Sequence, residues 1–242
     1  MQNPNHESQG IFDLNFSDEN NIGLTNQNTL RKVVGILGML LPFLVWLFVY
    51  IDSGYSNPMD SLSHYYFTRA GSIFCIAISL LAVFLMIYKG KDPIDFYLSF
   101  TAGLSAFCVV LFPTDSITNI CCDTDKKYVV TILKESGFRV GFHYTAAGIF
   151  LLCLAFMSLF LFTRSNKKLA FRTKNKLKRN LLYRTCGITM LLCMLVIFLG
   201  GFTKLIPEEI YNKNNITFWM ETLAIEAFGI SWLVKGEAIL KD

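Results

Sequence analysis

The chain has 242 residues, 53% of them hydrophobic and 17% charged, with a formal charge of +4. Soluble domains carry about a quarter charged residues, so the composition excludes an ordinary water-soluble fold and points to a membrane protein. The cationic excess follows from topology, as argued below. It does not call for nucleic acid, for which stacking aromatics and a fold to hold them are missing.

Residues 1–30 are polar and rich in Asn, which predicts a disordered cytoplasmic tail and no signal peptide. Phe12, Leu14 and Phe16 offer at most a small docking patch within it. Residues 31–242 read as one transmembrane domain. Six apolar runs follow, at Val33–Ile51, Gly71–Tyr88, Phe96–Phe112, Val140–Phe162, Cys186–Phe202 and Ile216–Val234. Each is about 17–23 residues, enough to cross roughly 30 Å of hydrocarbon at 1.5 Å per residue. Lipid offers the backbone no hydrogen bonds, and the runs are too long and evenly apolar for barrel strands. The expected fold is therefore all-α, a polytopic six-helix transmembrane bundle. Pro42 should kink the first helix.

Lys and Arg set the orientation. With the N-terminus inside, the inner segments hold fifteen of these residues and the outer segments seven, so the chain reads as N-in, C-in, multi-pass, in the cell (inner) membrane. Most of the inner excess lies in one run from Arg164 to Arg184, read as a loop that anchors against anionic headgroups. The second outer loop, 113–138, is the longest, and a short amphipathic helix is expected near Lys126–Lys134. Cys75, Cys108, Cys153, Cys186 and Cys193 fall inside apolar runs and read as core or lipid-facing thiols. Cys121 and Cys122 are adjacent in the second outer loop, where a redox or inter-chain role is conceivable.

This threading brings polar groups to one membrane level. His64 and Arg69 lie in the first outer loop beside Ser61, Ser63, Tyr65 and Tyr66. Asp115 follows the third span. Arg139 and His143, four apart on one helical face, open the fourth. Glu221 lies in the first turns of the sixth. Glu226 lies roughly 15 Å deeper than the start of that span, near the midplane, where a lone carboxylate costs about 3 kcal/mol or more against lipid. The inner side reads as holding nothing comparable, only solitary cations.

Three readings of the cluster stay open. It could be a structural network pinning helix ends. It could bind or sense a lipid headgroup or small ligand, with Arg69 and Arg139 holding a phosphate or carboxylate. It could be a membrane-embedded hydrolase or lipid-modifying enzyme, with His64, His143 and Glu221 or Asp115 as weak candidates for a three-ligand metal site. A fourth possibility, a proton-coupled transporter built on Glu226, lacks the internal repeat such folds show. No cofactor, oligomeric state or protein partner is indicated; the bilayer is the one partner the composition implies.

The segments SLSHYYFTRAG, FPTD, GFRVGFHYTAAG and FWMETLAIEAFGISWLVKGE, spanning roughly Arg31 to Glu237, resemble bacterial six-span membrane proteins of unassigned activity. They are more distantly similar to the group containing the GPI-lipid-remodelling proteins and the DRAM-type autophagy modulators. That resemblance implies six spans and a polar first outer loop. A second resemblance, to the ceramidase-like and progestin-receptor-like membrane hydrolases, would use Ser61 or Ser63, Asp115, His64 and His143 around zinc. The chain departs from it, with Glu221 and Glu226 where that group has HxxxH, and six spans where it has seven.

Overall fold

A computed structural model describes residues 26–117, 128–165 and 172–241. The expected tail, up to residue 25, and the cysteine pair Cys121 and Cys122 lie outside the described residues. The helices are α1 (Gln27–Ser53), α2 (Gly71–Ile87), α3 (Pro93–Leu111), α4 (Gly137–Phe156), α5 (Lys174–Ile197), a short α6 (Glu208–Lys213) and α7 (Ile216–Lys235). A 3₁₀ helix, Leu62–Phe67, lies between α1 and α2. One π-helical turn each extends α4, over Met157–Leu161, and α5, over Phe198–Phe202. Among the described residues the only strand-like feature is a single bridge between Thr68 and Val129.

Four of these helices are long and apolar enough to cross a membrane: Gln27–Ser53, Pro93–Leu111, Gly137–Leu161 and Lys174–Phe202. The helix Gly71–Ile87 is apolar but shorter. Helix α7 is 20 residues long and carries two carboxylates.

Successive long helices pack side by side. Helix α1 lies on α2, α2 on α3, α3 on α4 and α4 on α5, and α7 closes the ring by packing on both α5 and α1. The chain ends of the bundle therefore meet. Gln27 donates to the Lys89 carbonyl between α2 and α3 at 2.8 Å, and Asn28 lies against Gly236 after α7. We call this the basic end. The opposite end, with the 3₁₀ helix and residues 113–117 and 128–136, is the histidine end.

Local chemistry explains the boundaries. Asn26 caps α1 by accepting the Asn28 N–H at 2.8 Å, so the helix starts inside the expected tail. It runs on through the buried Pro42 as one element. Pro93 opens α3, and Asp95 accepts the N–H groups of Lys91 and Asp92. Thr173 caps α5 by accepting the Lys176 N–H at 3.1 Å. The stretch from Lys174 to Arg184, expected as loop, is therefore helix. The amphipathic helix expected near Lys126–Lys134 does not form over its described part. Residues 128–136 run without helix, because Val130 and Thr131 donate to the Phe67 carbonyl and Leu133 exchanges two bonds with Ser116.

Small groups set the closest approach. Gly35 on α1 and Gly229 on α7 face each other so tightly that a Cβ on Gly35 would stand 2.8 Å from the Gly229 carbonyl oxygen, and the reverse holds at the same distance. Hydroxyls bind other pairs: Ser99 donates to Leu85 across α3 and α2, and Ser158 to Tyr183 across the α4 extension and α5. Cys153, Cys186 and Cys193 are buried free thiols, while Cys75 and Cys108 are half-buried.

Candidate functional site

The histidine end gathers side chains from four parts of the chain. In the 3₁₀ segment, Ser61 is the cap, its Oγ accepting the His64 backbone N–H at 3.3 Å and lying 2.7 Å from His64 Nδ1. A hydroxyl that donates to Nδ1 goes with the tautomer carrying the ring proton on Nε2. That nitrogen faces Asp115 Oδ1 at 3.9 Å. The carboxylate is itself gripped by Thr114 Oγ1 at 2.7 Å and by Tyr144 OH of α4 at 2.9 Å.

His143 lies one residue before Tyr144 and points inward, 2% exposed. Its Nδ1 donates to the Phe112 carbonyl at 2.8 Å and approaches the Val109 carbonyl at 3.2 Å. These oxygens belong to the last turn of α3, where helix carbonyls lack partners. With Nδ1 as donor, Nε2 accepts the Ser63 hydroxyl at 3.0 Å. One imidazole thus joins α3, α4 and the 3₁₀ helix. Glu221 of α7 completes the set: its carboxylate accepts the Leu62 backbone N–H at 2.7 Å. Beside it, Phe218 N–H and Asn215 Nδ2 donate to the carbonyls of Asp60 and Pro58.

The electrostatics differ from residue to residue. Burial lowers the His64 pKa below its ordinary 6.5, against the raising pull of Asp115 and Asp60. Burial would raise the Asp115 carboxyl. The bond from Thr114, the His64 ring, the bond from Tyr144 and its own backbone outweigh that and hold it below the ordinary carboxylate value.

Of the expected site residues, His64, Asp115, His143 and Glu221 therefore share one network. The two arginines do not join them as an anion clamp. Arg69 is exposed and turns to Asp52 at 3.3 Å. Arg139 donates to the carbonyls of Pro113, Lys134 and Thr114 at 3.0, 2.8 and 3.3 Å, a cation closing the chain just past the α3 terminus. Glu226 stands apart: it is half-buried, and among the described residues nothing hydrogen-bonds to it. Nor do the weak metal candidates His64, His143 and Glu221 form a ligand set. Both His143 nitrogens and one of His64's are committed to hydrogen bonds, and among the described residues no three His, Cys, Asp or Glu side chains converge on a metal position.

Tyr144 is the member that the sequence reading missed. Its only signal is adjacency to His143, which ordinarily turns a side chain about 100° away on a helix. The basic end also differs from expectation, because its cations are not solitary. Arg164 bridges Asp92 at 2.6 Å and Asp95 at 3.3 Å, Arg179 pairs with Glu237 at 3.7 Å, and a cavity opens among them. Set against known proteins, the chain matches no family model, no curated protein and no solved structure.

Proposed function

We propose that the protein is a six-span membrane protein of the cell membrane, N-in and C-in, whose outer-leaflet polar network senses protons. Both bundle termini lie at the basic end, and the positive-inside rule puts that end in the cytoplasm. The small ligand that fits the opposite end is a cation, since both arginines there are already occupied. The observation that carries the reading is the His64–Asp115 pair: a buried imidazole 3.9 Å from a half-exposed carboxylate that also holds Tyr144 of α4. Protonating His64 would draw Asp115 toward the ring and change its hold on α4.

The sign of the pH effect follows from the lowered pKa. Below 6.5 the unfolded chain takes up a proton that the folded His64 resists, so stability falls as pH drops from 6.5 toward the folded value and then levels. The slope is at most about 1.4 kcal/mol per pH unit for one group. Asp115 works in a separate window: its contribution is present above 3.8 and is lost only as pH falls below that. Trp46 of α1 reports on the first outer loop, because its Nε1 donates to the Ser56 carbonyl there. In vesicles of defined orientation, lowering the outside pH stepwise from about 7.5 to about 4.5, through the range below the ordinary imidazole value in which the buried His64 takes up its proton, should change tryptophan fluorescence. The change should disappear in His64→Gln. A response to inside pH alone, or none, defeats the proposal.

A second reading rests on Ser63. Its hydroxyl donates to the free-base nitrogen of an imidazole oriented by a carbonyl, which is the arrangement that activates a serine nucleophile in hydrolases. A fluorophosphonate probe should then form an adduct that Ser63→Ala abolishes; a protein inert to the probe removes this reading.

A further inference from the structure

At the basic end a cavity of about 650 Å³ opens between α1, α3, α5 and α7 and the segment after α4. That is the size of an ordinary small-molecule pocket. Among the described residues seven Lys and Arg side chains line it against three carboxylates, an excess of four positive charges. Cations that merely direct topology can sit in water. Here several do not. Arg179 is 5% exposed, and Lys235 feels the charges of Arg31, Lys176, Arg179 and Lys91 together. Confining like charges at low dielectric is unfavourable unless something opposite offsets them.

The protein supplies part of the offset with aromatic rings. Arg31 lies over Tyr88 at 5.5 Å, Lys235 over Phe162 at 5.2 Å and Lys176 over Tyr183 at 6.0 Å. Trp232 packs edge-on against both Tyr88 and Phe162 and is fully buried, so these rings form a fixed wall. Among the described residues the three acids are already taken, Asp92 and Asp95 by Arg164 and Glu237 by Arg179, and none of them pairs with Arg31 or Lys235. Arg31 Nε is buried with no hydrogen-bond partner among the described residues. Helix α5 also begins here, 24 residues long with no acid in its first turn, so its positive dipole end is uncompensated by its own side chains.

We propose that this cavity binds a multiply charged phosphate-bearing anion, held by Arg31 and Lys235 above the aromatic wall, with Lys176 and Arg179 also lining it. Guanidinium and ammonium groups recognise phosphate oxygens directly. An anionic phospholipid headgroup and a soluble phosphorylated compound share that chemistry.

The experiment uses the full chain in phosphatidylcholine nanodiscs and reads the thermal unfolding midpoint. Inorganic pyrophosphate at constant ionic strength should raise the midpoint saturably, as binding to the folded state requires. Lys235→Gln, which removes one crowded charge, should unfold no earlier than wild type without ligand and should need at least tenfold more pyrophosphate for the same shift. Nanodiscs containing phosphatidic acid distinguish the sources. If that lipid raises the midpoint and abolishes the pyrophosphate effect, the headgroup is the occupant; if pyrophosphate acts equally in both bilayers, the ligand is soluble. No shift with either probe overturns the proposal, as does an equal pyrophosphate shift in wild type and Lys235→Gln.

Discussion

Replacing His143 with Ala should lower the unfolding midpoint by several degrees, far more than any other single change at the histidine end. The imidazole is almost fully buried and engages three elements at once: the Phe112 and Val109 carbonyls of α3 through Nδ1, and Ser63 of the 3₁₀ helix through Nε2. Truncation leaves the Ser63 hydroxyl and the Phe112 carbonyl facing a void. Each buried unsatisfied group costs about 1–3 kcal/mol, and the cavity adds to it. A total of about 3 kcal/mol corresponds to roughly 6–12 °C for a chain of this size. His143→Asn offers a control, since its amide can donate near the Nδ1 position while losing Ser63, and should recover part of the loss. Melting in detergent micelles checks both. Should the Ala variant melt with wild type, the imidazole is not a structural tie, and a role in chemistry at Ser63 gains ground.

That expectation shows what was and was not legible in the sequence. The six apolar runs coincide with helices, four of them long and apolar enough to cross a membrane, because a long, evenly apolar run has to satisfy its own backbone hydrogen bonds. The level shared by His64, Asp115, His143 and Glu221 follows from counting residues along those helices. The arginine partners do not. Arg139 carries the charge of an anion site, yet its nearest acceptors are backbone carbonyls where the chain leaves α3, and carbonyls leave no trace in side-chain identity. Arg69 likewise finds Asp52, across the loop, where local spacing says nothing about the fold-back.

The basic end departs from expectation for a different reason. A run of Lys and Arg after an apolar span fits a solvated anchor and masks the helical signal within it. Thr173 is an ordinary N-cap residue whose hydroxyl accepts the Lys176 N–H, and it starts α5 twelve residues before the apolar run at Cys186. The extra turns carry Lys176 and Arg179 inward, over and beside Tyr183. Aromatics at span ends, such as Tyr88 and Trp232, read equally well as interface anchors. Only packing distinguishes an anchor from the wall of a cavity.

Helix α7 connects the two ends, and its hold on α1 should therefore carry the other large effect. Gly229→Leu is expected to destabilise the protein by about 3 kcal/mol, at the upper end of ordinary overpacking. The side chain has nowhere to go: its Cβ would press on the Gly35 carbonyl oxygen at 2.8 Å and on the side chain of Met39. Moving α7 outward would relieve the clash, but α7 also delivers Glu221 to Leu62 at one end and Lys235 to the basic cavity at the other. A displaced helix should lose both, so Gly229→Leu should blunt the outside-pH response and the pyrophosphate shift together. Gly148 of α4 provides the control, because a Cβ there meets nothing within 4 Å. Gly148→Ala should be neutral or stabilising by up to about 1 kcal/mol, the helix-propensity difference. The paired melting curves decide the matter: if the two variants behave alike, the Gly35–Gly229 contact does not set the position of α7, and the two ends are independent.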